Sequence, residues 1–481
     1  MSKNIPSVVI IGAGFGGLGL AMMLKRAGFA EFTVLEKADD LGGVWRDNTY
    51  PGAACDVPSP LYSYSFAPNR TWPHRYARQP DILAYLRRTA IDAGVLDHVR
   101  LGTEVTAATF DGRWRIETAR GETFEADVLV PAVGQLSRPV LPDIPGADTF
   151  AGPAFHSARW DHEVDLAGKR IAVIGTGASA VQFVPHIQPG ARRLTIFQRS
   201  APYVVPKPDI TYRPWHHRLF RTLPMSQSAG RAGIWLAGEA LTLALTDAQP
   251  LGKLVELAFR AHLRRQVADP RLRARLIPDY RIGCKRLLFS NGWFPAISAP
   301  NVDLVTDPIT ELTPHGIRTA VGEHEADVII YGTGFRATDF LAPIRIRGLG
   351  GRELDHEWAG GARAYLGMTV PGFPNMFLIY GPNTNLGGNS IISMMERQYR
   401  YILQVLARRM SYVDVREAVA GRFDAEVRKR LARSVWSGCA SWYRDPDGRI
   451  PTNWPGLVWE YHRRTARVNP ADFHLEPPTT P

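Results

Sequence analysis

Closely spaced cysteines are missing from this 481-residue chain, which has only Cys55, Cys284 and Cys439. No CxxC or CxxxxC pair is present, and this argues against a dithiol catalyst of the disulfide reductase kind. An odd number of isolated cysteines favours unpaired thiols and a reducing, cytoplasmic compartment. We also expect no metal centre.

Long hydrophobic runs are missing as well. The longest apolar stretch, AGIWLAGEALTLALT at 232–246, is too short to span a bilayer and contains Glu239. It predicts a buried helix or the wall of an apolar substrate pocket, and no membrane span. A buried strand is predicted within the opening dozen residues, so no signal peptide is expected ahead of it.

Acidic residues are fewer than basic ones, which gives a net charge of +11. The arginines and lysines are dispersed and form no basic tail, so we expect a solvated basic surface around anionic small molecules and no nucleic-acid partner. Hydrophobic residues make up 45% and charged residues 21% of the chain, which is typical of a globular enzyme of about three domain-equivalents.

A glycine-rich loop follows the first predicted strand. In VVIIGAGFGGLGLAMML, Gly12, Gly14 and Gly17 form GxGxxG between a strand and a helix, and Glu36 ends the next strand, FTVLE. The glycines permit a tight turn and a close approach to a pyrophosphate, which the helix N-terminus attracts. An acid at this distance holds ribose hydroxyls, so we interpret the loop as an FAD site.

A second loop repeats this arrangement with one decisive change. RIAVIGTGASAVQFVPHI places Gly175 and Gly177 in GxGxxA, and Arg199 ends the next strand, LTIFQRS. Glu36 and Arg199 each stand 24 residues after the first glycine of their loop. An acid suits an unphosphorylated ribose and a guanidinium suits a 2′-phosphate, so the second loop predicts NADPH.

The two halves of the chain resemble each other beyond these loops. EADVLVPAVG at 125–134 and EADVIIYGTG at 325–334 each follow a predicted meander of short strands. GTGFRA at 332–337 also fits GxGxxA, but no acid or arginine ends a following strand, so we interpret it as a chain crossing. Turn signals interrupt both meanders, at Asp111-Gly112 and at His315-Gly316.

The predicted fold is α/β, with two Rossmann-like dinucleotide-binding domains and a helical insert in the second. MFLIYG predicts a buried strand, GPNTNLGGNS a flexible loop, IISMMERQYRYILQVLARRM an amphipathic helix, and the Trp-rich tail after 440 a surface wrap. The predicted domains are 1–145 for FAD, 146–335 for NADPH with the insert at about 205–280, and 336–481 for the return to the first domain and the tail.

Between the two loops lies FAGPAFHSARWD, in which five residues have a fixed spacing: Phe150, Gly152, His156, Trp160 and Asp161. This pattern resembles the fingerprint of type I Baeyer–Villiger monooxygenases, within the class B flavoprotein monooxygenases. The resemblance implies that an FAD- and NADPH-dependent enzyme converts a ketone to an ester or lactone with molecular oxygen, through a peroxide on the reduced flavin. It also implies that His156 couples the domains and is no acid–base catalyst.

Two further segments resemble the same family. GGVWRDNTYPGAACD at 42–56 matches its second signature, which implies that Trp45 lies along the flavin and Asp56 beside its ring. IGCKRLLFSNGWFPA contains Lys285, expected on the NADPH phosphate, and Arg286, expected in the flavin site. A guanidinium stays charged at any working pH, so Arg286 is the catalytic candidate, and Asp56 is expected to orient it.

The remaining expected cofactor contacts lie beside these motifs. SWYRDPDGRIPTNWPG also resembles the family, which implies that Trp454 contacts the nicotinamide side. No motif distinguishes a linear, cyclic, steroid or polyketide ketone. Further expected contacts are Phe15, Tyr62 and Val105 with FAD, and Thr176, Ser179 and Ser200 with NADPH.

Two rival functions remain open at the level of sequence. A flavin monooxygenase that oxidises amines or sulfides has a similar fingerprint, but with tyrosine where Trp160 stands. A flavoprotein that binds both nucleotides could also serve as a redox sensor or an uncoupled NADPH oxidase. Close coupling of NADPH use to substrate oxygenation would exclude that second rival.

Overall fold

The computed structural model describes residues 6–246 and 249–476. Among these residues, no helix is both long enough and apolar enough to cross a membrane. Helices and strands alternate through both halves of the chain, as the α/β prediction requires.

The strands are short, and most are buried on both faces in the two parallel sheets. In chain order they are β1 (Val8–Ile11), β2 (Phe32–Leu35), β3 (Val99–Arg100), β4 (Val105–Asp111), β5 (Arg113–Thr118), β6 (Thr123–Ala126), β7 (Val128–Pro131), β8 (Ala154–His156), β9 (Arg170–Ile174), β10 (Arg193–Phe197), β11 (Val204–Val205), β12 (Leu288–Phe289), β13 (Val302–Val305), β14 (Ile309–Thr313), β15 (Gly316–Thr319), β16 (Gly322–Glu325), β17 (Val328–Tyr331), β18 (Arg345–Arg347), β19 (Tyr412–Val415) and β20 (Phe473–Glu476).

The α-helices cover the sheets and form the insert. They are α1 (Phe15–Arg26), α2 (Val44–Asp47), α3 (Gln79–Asp92), α4 (Ala178–Ile187), α5 (Pro214–Thr222), α6 (Pro224–Thr246), α7 (Gln249–Gln266), α8 (Pro270–Arg275), α9 (Trp293–Ile297), α10 (Leu354–Glu357), α11 (Ile391–Leu406), α12 (Glu417–Leu431) and α13 (Val458–Arg464).

The first parallel sheet has the strand order β3-β2-β1-β7. Its central strand, VVII, is buried at every position, which explains the absence of polar alternation in its sequence. The predicted MFLIYG strand adds to its edge, because Phe377 and Ile379 donate backbone hydrogen bonds to Leu129 and Pro131 of β7. The chain therefore returns to this sheet after leaving it, and α11 packs against α1.

The second parallel sheet has the order β13-β10-β9-β17-β8. Each sheet receives the strand that follows a three-stranded meander, β4–β6 for β7 and β14–β16 for β17, as the repeated EADV segments predict. GTGFRA forms the predicted crossing: Gly334 accepts a hydrogen bond from Val140, and Arg336 donates one to Arg138, so two connections run side by side.

The predicted helical insert is present as α5–α8. The interpretation of 232–246 as a buried helix or pocket wall is wrong. That stretch forms the second half of α6, where Leu236 is 62% exposed, and α6 contributes nothing to the cavity described below. The helix instead buries the polar side chains of Glu239 and Thr242.

The predictions for the loop after MFLIYG and for the tail are also wrong. Asn383 and Asn385 are buried, and both bond to the tail residue Asn453. Tyr443 and Tyr461 of the tail are almost fully buried. Polar composition suggested a solvated loop, but these side chains bond to one another across the core, which the local sequence does not reveal.

Two of the cysteines are paired. Cys284 and Cys439 form a disulfide across 155 residues of sequence, with Cα atoms 6.2 Å apart. The expectation of three unpaired thiols is therefore wrong, because the fold and not the spacing brings these two residues within bonding distance. Cys55 is the free cysteine of the described chain, and its thiol is buried.

Candidate active site

One cavity of about 1230 Å³ runs between the two parallel sheets and is lined by both glycine loops. Its volume exceeds the usual range for a single small ligand, which suits two dinucleotides lying end to end. Of the predicted site residues, Gly17 and Trp454 do not line it. The others do: Gly12, Gly14, Phe15, Glu36, Trp45, Asp56, Tyr62, Val105, Gly175, Thr176, Gly177, Ser179, Arg199, Ser200, Lys285 and Arg286.

The N-termini of α1 and α4 open onto this cavity without a capping side chain. Their N-cap residues are Gly14 and Gly177, and neither helix has an acidic residue in its first turn. The first-turn N–H groups therefore stay available for an anion, which the positive end of the helix favours. Gly17 acts in packing, because a Cβ atom there would lie 1.9 Å from the carbonyl oxygen of Gly12.

Two glycines, Gly14 and Gly43, leave a narrow gap beside the first loop. Gly43 has a φ of +55°, and a Cβ on it would lie 3.2 Å from the Cα of Gly14. Both residues line the cavity, so side chains here would fill the space in which a phosphate chain must approach the backbone. This narrow gap leaves room for a pyrophosphate, and a side chain at Gly14 or Gly43 would block it.

Glu36 lies at the end of β2 and is buried, at 4% exposure. One carboxylate oxygen accepts a hydrogen bond of 2.8 Å from Ala13 N–H, and the other accepts bonds from Ala38 N–H and Arg46. Sequence reasoning missed Arg46, which lies ten residues further on and forms a salt bridge of 3.1 Å with Glu36. The bonds fix the carboxylate at the cavity wall and leave acceptor capacity for ribose hydroxyls.

Arg199 and Lys285 form a cationic corner beside the second loop. The ammonium of Lys285 bonds to Ser200 Oγ at 2.8 Å and lies 4.5 Å from the ring centre of Tyr280. Burial and the charge of Arg199 lower the pKa of Lys285. Arg199 itself has no acidic partner among the described residues, so two like charges converge at the position where a 2′-phosphate would lie.

Aromatic side chains line the part of the cavity beside the first glycine loop. Trp45 donates its indole N–H to the hydroxyl of Tyr62 at 3.0 Å, and the Phe15 ring packs edge-on against Tyr62. Burial raises the pKa of Tyr62, so its hydroxyl stays protonated. These contacts hold flat surfaces against the cavity, suited to a planar ring system.

Arg286 lines the cavity that both glycine loops share, and its side chain is half-buried. It forms no salt bridge or hydrogen bond with any residue that the structure describes. Burial works against its charge, but Asp56 and the surrounding tyrosines hold the pKa of Arg286 above the ordinary arginine value. The site therefore contains a permanent cation with unused donors facing the cavity.

Asp56 does not form the expected direct pair with Arg286. Its carboxylate bonds to Gln182 Nε2 at 3.3 Å and lies 3.5 Å from the ammonium of Lys207. Lys207 also donates to the carbonyl of Cys55 at 3.2 Å. The prediction that Asp56 orients Arg286 by contact is wrong, because the fold supplies Asp56 with a nearer cation from the segment after β11.

The predicted role of Trp454 also does not fit the structure. Its side chain is 1% exposed, packs against Tyr461 and donates its indole N–H to the carbonyl of Leu457. Trp442, twelve residues earlier in the same segment, lines the cavity instead. The segment contains two tryptophans, and sequence reasoning selected the one that packs in the core.

His156 lies at the end of β8, is buried and does not line the cavity. Its Nδ1 accepts a hydrogen bond from Ala158 N–H, and burial lowers the pKa of His156 to about 4. His156 is therefore neutral, and its ring packs against Phe335, which lies in the connection between the two sheets. This environment agrees with a coupling role and not with acid–base catalysis.

Tyr380 is a cavity residue that sequence reasoning missed. Its φ of +59° is unusual for a non-glycine residue, and its hydroxyl donates to Asn385 at 2.9 Å. Backbone strain of this kind concentrates at functional sites. Tyr380 lies in the predicted MFLIYG strand, which gave no indication of a site residue.

A search among known proteins agrees with this geometry. The family described as "Pyridine nucleotide-disulphide oxidoreductase" matches residues 9–230. A protein of Streptomyces coelicolor, named "Baeyer-Villiger monooxygenase", is 46% identical over 97% of this chain and 92% of its own length. This chain belongs to the Baeyer–Villiger monooxygenases. A second member, from Pseudomonas aeruginosa, is 42% identical over 98% of this chain.

Solved structures of Baeyer–Villiger monooxygenases share the fold along the whole chain. "Oxidized steroid monooxygenase bound to NADP" superposes with a TM-score of 0.88 at 31% identity, and it covers 98% of this chain and 99% of its own. "Crystal Structure of OTEMO complex with FAD and NADP (form 4)" gives 0.88 at 29% identity, over 98% of this chain and 100% of its own. The two-sheet architecture is therefore that of the family.

Proposed function

We propose that this chain is an FAD- and NADPH-dependent Baeyer–Villiger monooxygenase. The reaction consumes a ketone, molecular oxygen, NADPH and a proton, and it yields an ester or lactone, NADP⁺ and water. The observation that carries the proposal is the position of Arg286, an unpaired guanidinium in the wall of one cavity that both glycine loops share.

FAD would be held by the first loop. The free N–H groups at the start of α1 face the pyrophosphate, Glu36 faces the ribose, and Trp45 and Tyr62 offer flat surfaces to the ring. Phe15 and Val105 complete the apolar wall at this end of the cavity.

NADPH would be held by the second loop. The start of α4 faces its pyrophosphate, with Thr176 and Ser179 nearby, and Arg199, Lys285 and Ser200 surround its 2′-phosphate. Two cations and a hydroxyl match a dianion, whereas the unphosphorylated cofactor NADH would leave these charges without a partner.

When bound, NADPH supplies a hydride to FAD, and the reduced flavin ring activates oxygen. Arg286 then stabilises the negative charge that develops as oxygen adds to the ketone carbonyl. The guanidinium is already charged and already lines the cavity before oxygen adds, so no proton has to be supplied to it at that moment. Asp56 keeps Lys207 as its own counter-ion and leaves the guanidinium unneutralised.

The substrate is proposed to be an apolar ketone. Leu288, Ile379, Met395 and Trp442 line the same cavity as Arg286, and none of them carries a charge. The solved structures titled "Oxidized steroid monooxygenase bound to NADP" and "Closed crystal structure of cyclohexanone monooxygenase" share this fold, and steroids and cyclohexanone both have a largely hydrocarbon body. An apolar wall beside a single guanidinium selects a molecule with one carbonyl and a hydrocarbon body.

The test is product analysis with a ketone panel, which includes linear, cyclic and steroidal ketones, under ¹⁸O₂. We expect a yellow protein that inserts one labelled oxygen beside a carbonyl and consumes one NADPH for each product. Amine or sulfide oxidation without ester formation would contradict the proposal. So would NADPH consumption that yields hydrogen peroxide with every ketone.

A further inference from the structure

The helical insert presents an apolar face to solvent. On α6, every exposed position between 229 and 243 is alanine, glycine or leucine. Leu236 and Leu243 are seven residues apart and therefore lie on the same face of the helix. On the neighbouring helix α7, exposed leucines stand at 251, 254 and 257, also on one face.

The inner face of α6 is polar, which reverses the pattern of an ordinary surface helix. Gln227 donates to the carbonyl of Asn69, and Arg231 donates to the carbonyls of Pro60 and Ser63. Glu239 accepts hydrogen bonds from the first backbone N–H groups of α13. Because these bonds fix which side faces inward, α6 cannot turn Leu236 and Leu243 into the core.

Basic residues surround this apolar face. Between 213 and 275 the sequence has eleven basic and four acidic residues, so this stretch holds most of the net charge of +11. Among its described residues, Asp269 is the exposed acid, since Glu239 is buried and Glu256 is paired with Arg260. Exposed basic residues flank the face on α5 and α7: Arg213, Arg218, Arg221, Lys253, Arg264 and Arg265.

We propose that α5, α6 and α7 form a docking surface for the anionic face of a lipid bilayer. Leucines that enter the headgroup region, with arginines beside them on the phosphates, are the combination that peripheral membrane helices use. A second copy of the chain would bring two surfaces of the same charge together. A nucleic acid would pair with the arginines but would leave the leucines in water.

Vesicle flotation with the FAD-loaded protein tests this proposal. We expect binding to phosphatidylcholine vesicles that contain phosphatidylglycerol to exceed binding to pure phosphatidylcholine by about tenfold, and to weaken as salt is raised. Leu254→Glu and Leu236→Glu should each reduce binding by about tenfold, because they place a charge in the apolar face. Since both side chains are exposed, the colour and the melting temperature should not change.

Val321→Glu is the matched control, because Val321 is 71% exposed on the turn between β15 and β16, outside the insert. It introduces the same charge in place of an exposed apolar side chain and should bind vesicles like the original protein. The proposal is overturned if anionic vesicles are not bound, or if the control loses as much binding as Leu254→Glu. It is also overturned by a dimer that Leu236→Glu dissociates, or by duplex DNA binding as tight as vesicle binding.

Discussion

The ammonium of Lys207 lies 3.5 Å from a carboxylate oxygen of Asp56, and both side chains are about one-tenth exposed. Asn291 fixes the Lys207 backbone by bonding to both its N–H and its carbonyl, at 3.0 and 2.8 Å. The acid of the second family signature is therefore already paired. Arg286 forms no bond with this acid, so the donors of its guanidinium stay available to the cavity.

Replacing Lys207 with methionine tests whether Lys207, by pairing with Asp56, leaves Arg286 free for the cavity. Asp56 would lose its direct counter-ion, and its strongest remaining attraction would be to Arg286. We expect ester formation to fall about tenfold, while bound FAD and the affinity for NADPH stay unchanged. Lys207→Arg should retain most activity, and Lys253→Met, on exposed α7, should resemble the original enzyme. A methionine variant with full ester yield would show that Lys207 does not act through Asp56.

Arg199→Ala tests how the second loop distinguishes its cofactors. A charge-assisted phosphate contact is worth about 1.5–3 kcal/mol, so NADPH affinity should fall roughly ten- to hundredfold while NADH affinity barely changes. Arg193→Ala is the control, because that arginine lies on β10, the strand that leads to Arg199, but pairs with Asp303. Titration of both cofactors measures the effect, and equal losses for NADPH and NADH would rule out phosphate recognition by Arg199.

The lowered pKa of Lys285 predicts that cofactor binding depends on pH. Burial and Arg199 lower the pKa of Lys285, so its ammonium deprotonates at a lower pH than an ordinary lysine. Since the charged form binds phosphate, the NADP⁺ affinity should decrease as the pH rises from about 7 to 10. Lys285→Arg keeps its charge and should remove most of this decrease, whereas NAD⁺, without the phosphate, should show little of it. A decrease of the same size for NAD⁺ would contradict the assignment.

The Cys284–Cys439 disulfide joins two walls of the cavity. Cys284 precedes Lys285 and Arg286, and Cys439 precedes the cavity residues Ala440 to Trp442. Cys439→Ser should speed proteolysis at 440–450 and lower the stability of the protein by about 2–4 kcal/mol. Peptide mapping of the original protein should recover the linked pair. Three labelled cysteines in the unfolded, unreduced protein would contradict the pairing.

Cys55 provides an internal reference for that labelling. Burial raises the pKa of its thiol to about 12, so it should stay unlabelled until the protein unfolds. In the unfolded but unreduced protein, a label on Cys55 alone is expected, because Cys284 and Cys439 remain linked.

The sequence was most informative where one local pattern fixes one local structure. The glycine loops and the acid or arginine that ends the next strand are such patterns, because a tight turn and a strand end depend on neighbouring residues. Glu36 and Arg199 accordingly line the cavity as expected. The EADV segments likewise predicted β7 and β17 at their observed positions.

Pairings across long separations were not readable from the sequence. Lys207 meets Asp56 across 151 residues, and Cys284 meets Cys439 across 155, so in both cases the fold selects the partner. The choice of Trp454 over Trp442 failed for a related reason: burial decides which tryptophan reaches the cavity, and the two look alike in sequence.

Helix α6 shows a third limit of prediction from the sequence. An apolar run predicts burial only when the helix has no other face to bury. Here Gln227, Arg231 and Glu239 find backbone partners inside, and Leu236 and Leu243 remain exposed.

The most direct test of the central claim is single-turnover product analysis of Arg286→Ala, with Arg281→Ala, an exposed arginine five residues earlier, as control. Removing one group that stabilises a developing charge costs about 10²–10³ in rate. We therefore expect FAD to stay bound, flavin reduction by NADPH to change less than oxygenation, and ester or lactone formation to be lost. The control should keep its product yield. Undiminished ester or lactone yield in Arg286→Ala would contradict the account.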